Sequence, residues 1–370
     1  MSTNAVARAV EFLATCEVPA VRLQAARTLG NPRRFGSIRE LRDEAERDMF
    51  ARDVRELFLA PYAQAYRTGR LRGEAAAVLG RVLSGNASPA MDSLLARGCT
   101  EPGRALDRVL RGMLQRGHNR GFFYEPHQVV EAERFAARPQ EECFIRSTAA
   151  YCRYLLAFGR GRDLRVRRAF DWMVEYQGAD GTWSPPAHGD CADGTGRYIL
   201  TRAVAEAFAE LPVNAVRRWA SARRRLAAGW SDSILACCHA PDAVLTEPNL
   251  AADPRARRDG AVPFPEGLRR RLLYFPLEDL WLALRLGANP RHAHLSPWVA
   301  WIESAQQPDG SWRLHNPSLR ERLLLSDPNG RLRAEALYLT DEWITLRAAQ
   351  ILRLARRSAR SRVSEAVAAS

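Results

Sequence analysis

The chain contains no lysine: all 55 of its basic residues are arginine. Beside abundant alanine, such a bias reflects nucleotide-composition pressure more than selection for a polyanionic partner. The formal charge of +13 therefore carries little functional weight. The arginines are dispersed along helical stretches with acidic residues interleaved, which argues against a nucleic-acid partner. No apolar run approaches the roughly 18–20 residues that cross a bilayer, so no transmembrane helix is expected. The first ten residues lack a basic stretch followed by an apolar one, so no secretory leader is expected. The seven cysteines are odd in number and scattered. That speaks against a disulfide framework and for a reducing cytoplasm, with at most a peripheral membrane contact. Alternating β-branched and aromatic runs are almost absent, and no motif for nucleotide, phosphate-loop or flavin binding is present.

What remains reads as helix after helix. Two short helical patterns flank Pro19, and the second, Val21 to Leu29, ends at Gly30 as a helix should. Asp43 to Leu59 and Gly73 to Leu83 continue the style. From about residue 104 a unit repeats: helix, Gly-containing turn, second helix, loop. Its copies are Cys143–Phe158 with Leu164–Tyr176, Tyr198–Leu211 with Val213–Ala227, and Leu277–Leu286 with Leu295–Ala305. A last first helix runs from Asp341 to Leu354. Repeated helical hairpins build a solenoid or a closed ring. The expected division is a helical segment over 1–103, a ring over 104–356 and a disordered tail over 357–370.

Two heptapeptides follow second helices: Gln177-Gly178-Ala179-Asp180-Gly181-Thr182-Trp183 and Gln306-Gln307-Pro308-Asp309-Gly310-Ser311-Trp312. Asp-Gly makes a turn in which Gly supplies positive φ, Gln bonds backbone at a helix end, and Trp folds back onto the hairpins. A weak third copy is Gln115 to Phe123. The motif reads as glue between hairpins, without a catalytic role.

The heptapeptides resemble the repeat motif of the squalene-cyclase and protein-prenyltransferase superfamily. Pro19 to Leu29, Phe275 to Leu280 and Asp341 to Ala348 resemble segments of its small bacterial cyclase-like members. The resemblance implies an all-α fold, an α/α toroid of hairpins around a central cavity. It also implies a terpene-cyclase-like or prenyltransferase-like enzyme acting on an isoprenoid or other apolar substrate. The superfamily's Asp-x-Asp-Asp acid motif is missing, and so is an Asp-Asp-x-x-Asp magnesium motif. Asp190 and Cys191 are adjacent, whereas the zinc prenyltransferases place a cysteine two residues after an aspartate.

In such a toroid the starts of the first helices surround one mouth of the cavity. Cys143, His188, Asp190, Cys191 and Asp279 fall there. Helix capping accounts for any single acid among them. Taken as a set, they allow two chemistries. Asp279, between Phe275 and Trp281, would protonate an alkene or epoxide if apolar walls kept it neutral, with Asp190 and His188 as further catalytic candidates. Phe275, Trp281 and Trp343 would line the substrate and face cationic intermediates. Alternatively Cys143, Cys191 and His188 would hold Zn2+, with Cys237, Cys238 and His239 as further soft ligands. A third reading is a non-catalytic toroid that binds a lipid, a peptide or a partner protein.

Overall fold

In the computed structural model of the protein, residues 3–30, 32–45, 91, 95, 104–123, 144–184, 194–212, 215–235, 276–313 and 340–369 are described. Among them the structure is helical, and the only β feature is an isolated bridge between Gly117 and Phe123. Ten α-helices serve as landmarks: α1 Thr3–Ala14, α2 Pro19–Thr28, α3 Arg104–Gln115, α4 Ile145–Ala157, α5 Leu164–Glu175, α6 Gly194–Ala209, α7 Arg217–Gly229, α8 Pro276–Leu286, α9 Ser296–Ser304 and α10 Asp341–Ala369. A further helix is described over 38–45. Helix α10 runs through Ala369, so the stretch expected as a disordered tail is helical. Its alanines and arginines are good helix formers and continue a helix already nucleated by the packed half.

The helix ends follow their local chemistry. Pro19 opens α2 at a position where its missing N–H costs nothing. Asp163 caps α5 by accepting from the Arg165 backbone N–H at 2.9 Å. That bond and the Arg165 side-chain hydrogen bond hold the Asp163 carboxyl below its ordinary range, the side-chain bond contributing most.

Helices α4 and α5, and α6 and α7, pack as hairpins, and α9 follows α8 after a short connection. The first helices pack against one another, α4 on α6, α6 on α8 and α8 on α10. Helix α5 packs on α7, and α9 on α10. The core between them is aliphatic and aromatic, with Tyr151, Leu155, Phe170, Met173, Phe208 and Leu226 all buried. Each such side chain contributes about 1.5–3 kcal/mol when fully removed from water. The N-terminal helices are part of this assembly: α1 and α2 both pack on α10, at the other end of the chain.

Three turns stitch the hairpins. Gly178 N–H donates to Thr182 C=O at 2.8 Å, and Gly181 N–H to Gly178 C=O at 2.9 Å. Gln307 and Gly310 repeat these bonds with Ser311 and Gln307 at 2.8 and 3.0 Å. His118 and Gly121 repeat them with Phe122 and His118 at 2.7 and 2.9 Å. The third copy is therefore real, but it begins at Gly117, two residues later than its sequence match. There Gly117 stands where the others have Gln, and Arg120 where they have Asp. The turn glycines adopt φ of +105° at Gly121, +82° at Gly181 and +90° at Gly310. Each lies against a backbone carbonyl of another helix: a Cβ on Gly121 would sit 2.8 Å from Arg168 O, and one on Gly310 would sit 2.5 Å from Arg8 O. Gly181 touches Arg225 O in the same way. Only glycine meets both conditions.

The last turn residue docks on the start of a first helix. Thr148 of α4, Thr201 of α6 and Thr345 of α10 accept through Oγ1 from the backbone N–H of Phe123, Trp183 and Trp312, at 2.9, 3.1 and 2.9 Å. Trp183 and Trp312 are 0% and 3% exposed. Their indole N–H groups donate back to Met173 O and Ile302 O at 2.9 and 2.6 Å, which satisfies both of these buried donors.

Candidate functional site

Asp279 lies in the first turn of α8 and is 0% exposed. The apolar wall expected around it is not what its described neighbours form. Tyr198 of α6 donates its hydroxyl to both carboxylate oxygens at 3.1 Å, and Arg202 Nη1 stands 3.3 Å from Oδ1. The same Arg202 Nη1 donates to the Tyr198 oxygen at 2.8 Å, and its Nε reaches Glu206 at 3.1 Å. Glu206 then takes Arg153 of α4 at 2.8 Å. Burial works against the Arg202 charge, but Tyr198, Asp279 and Glu206 outweigh it and hold the guanidinium well above its ordinary value. A permanently charged neighbour and a hydroxyl donor are the surroundings of a carboxylate, not of a neutral acid waiting to give up a proton.

A second set of polar contacts continues from the neighbouring residue. Glu278 accepts from Arg347 Nε of α10 at 2.6 Å. Arg347 Nη1 donates to Gln350 at 2.6 Å, and Gln350 donates to Thr28 of α2 at 2.8 Å. Polar contacts thus run from α4 through α6, α8 and α10 to α2. A parallel joint ties α8 to α6, where Arg285 meets Glu210 at 3.0 Å and Ala209 O at 2.8 Å.

Trp281 and Trp343 fall within this set. The Arg347 guanidinium lies 3.6 Å from the Trp281 ring centroid and that of Arg285 lies 4.7 Å away, so two protein cations already engage the half-buried indole. Trp343 is 5% exposed and 5.8 Å from Arg347. Phe275, Cys143, His188, Asp190, Cys191, Cys237, Cys238 and His239 lie outside the described residues. Asp279, Trp281 and Trp343 are therefore the sequence-derived candidates that the structure locates: Tyr198 and Arg202 hold Asp279, and Arg347 reaches both tryptophans.

The thiols that are described, Cys16 and Cys152, are free and buried. Burial pushes the Cys16 thiol up to about 11 and raises Cys152 further. Among the described residues no three His, Cys, Asp or Glu side chains gather as a metal site, and no helix is long and apolar enough to cross a membrane.

Sequence reading placed Glu278 beside Asp279 at a helix start but missed Tyr198, Arg202, Glu206, Arg153 and Arg347 as its companions. One signal was available: Arg202 and Glu206 are four apart on a helix and face the same way. The other pairs join separate helices and leave no local trace. Comparison with family profiles, with curated proteins and with solved structures finds no match to this chain.

Proposed function

We propose that the chain is an α/α toroid of the kind its two heptapeptides resemble. In this reading the first helices form the inner face, and that face binds a polar segment, a peptide carrying both charges, without cyclising an isoprenoid. The observation that carries the reading is the character of the side chains joining the first helices. Arg153, Arg202, Glu206, Glu210 and Arg285 are each about one-fifth to one-quarter exposed and form ion pairs of opposite sign. A face lined by such ion pairs is polar and carries both charges, which suits a mixed-charge chain able to exchange into the pairs and suits a hydrocarbon poorly. Cyclisation would need a neutral acid and free aromatic faces. Asp279 is paired with Arg202, and the Trp281 ring carries two guanidinium groups.

The test is affinity selection from a random peptide library on the full-length protein, in parallel with product analysis after incubation with squalene or geranylgeranyl diphosphate. The reading predicts enrichment of mixed-charge peptides, weakened by raised salt, and no isoprenoid product. Isoprenoid turnover abolished by Asp279→Asn would restore the cyclase expectation. About one zinc per chain, lost in Cys191→Ala, would favour a zinc-dependent toroid enzyme using Cys143, Cys191 and His188.

A further inference from the structure

The turn at 306–312 closes on a helix from the opposite end of the chain. Gln177 Nε2 of the middle turn donates to Gly181 O and to Ala222 O of α7, both at 3.0 Å. Gln306 Nε2 donates to Gly310 O at 3.0 Å and to Ala5 O of α1 at 2.8 Å. Arg225 of α7 donates to Gln177 Oε1 at 2.5 Å, and Arg8 of α1 donates to Gln306 Oε1 at 2.7 Å. Gly181 abuts the Arg225 carbonyl and Gly310 the Arg8 carbonyl. In each case an alanine and an arginine three residues apart receive the same turn through the same atoms. Helix α1 therefore stands to α10 as α7 stands to α6.

We infer that α1 is a closing strap: it takes the second-helix place beside α10, and its release is the easiest way to open the fold. Two observations support the second half. The side chains that α1 fully buries, Ala5, Ala9, Val10 and Leu13, are smaller than the Val166, Phe170, Trp172 and Met173 that α5 buries. Less apolar area is exposed when α1 leaves. The chain also reaches α1 only from afar. Gln306 and Ala5 are 301 residues apart, while Gln177 and Ala222 are 45 apart, so the contact of α1 with its turn closes a far longer stretch of chain. The inference rests on the equivalence of the turns and not on the ligand of the inner face, so peptide selection can fail while the strap stands.

Hydrogen exchange of the full-length protein, resolved by helix, tests it. The expected result is exchange in α1 at least about tenfold faster than in α5, and in Gly310→Ala a further increase of about tenfold in α1 with α4 to α7 unchanged. Gly181→Ala serves as the control that loosens α7 and spares α1. Gln306→Leu removes the bonds to Ala5 and Arg8 without backbone strain, and gives the same α1-selective result if Gly310→Ala does not fold. Exchange in α1 as slow as in α5, or a rise shared by all helices in both the Gly310 and Gln306 variants, would overturn the strap.

Discussion

The turns and the joints between first helices solve one problem, how to hold one helical hairpin to the next, by opposite means. The turns are local in sequence and repeat. Seven consecutive residues contain the positive-φ glycine, the carboxylate that organises it and the indole that anchors it. The joints are non-local and do not repeat. Arg153 meets Glu206, Arg202 meets Asp279 and Arg347 meets Glu278, each with different partners in different geometry. A device built within seven residues can be copied with the hairpin that carries it. A joint between two separately varying helices must be found anew each time.

The sharpest way to break the turn side is to remove an indole. Trp312→Ala should cost about 3–5 kcal/mol, as for a large core aromatic, and its melting temperature should fall accordingly. Trp183→Ala should behave alike, because both rings are buried and both N–H groups are paired. Gly181→Ala should cost about 2–3 kcal/mol in equilibrium denaturation. The added methyl meets a positive φ and the Arg225 carbonyl together, and the strain alone is of order 1–3 kcal/mol. A loss below about 1 kcal/mol would mean that the hairpins separate easily and that the turn is not the fastener.

The smallest effect concerns the turn carboxylate. Asp309 accepts from the Ser311 hydroxyl at 2.7 Å and backbone N–H at 2.9 Å, and these bonds hold it below its ordinary range. A lowered folded value means that its contribution is complete above the unfolded value, near 4, and is lost as pH falls through the folded one. The gap in melting temperature between the wild type and Asp309→Asn should therefore be constant from neutral pH down to about 5 and shrink below about 4.

How much could be read in advance follows the same division. The hairpins, their approximate limits and both complete heptapeptides were legible, because 3.6-residue periodicity and Asp-Gly turn chemistry are short-range signals. The degenerate copy at 117–123 was placed two residues early. Without its Gln and Asp, only backbone bonds and the Gly121 conformation mark it. The partnership of α1 with the last turn left a faint mark, Ala5 and Arg8 matching Ala222 and Arg225 in spacing. It stayed unread because nothing local says that residues 300 apart share a seat. Asp279 was read as a proton donor between apolar and aromatic walls. Its setting was misjudged, since the groups that define it, Tyr198 and Arg202, come from another helix.

That setting is the central claim, and an equilibrium-unfolding double-mutant cycle on Arg202 and Asp279 tests it most directly. If the pair is a joint between α6 and α8, Asp279→Leu leaves a buried guanidinium short of a partner and should cost about 3 kcal/mol. Arg202→Met strands the carboxylate and should cost a similar amount. Arg202→Met with Asp279→Leu should recover most of both losses, since two apolar side chains replace two charges. Losses that simply add would contradict the account, because Asp279 would then owe its burial to something other than Arg202.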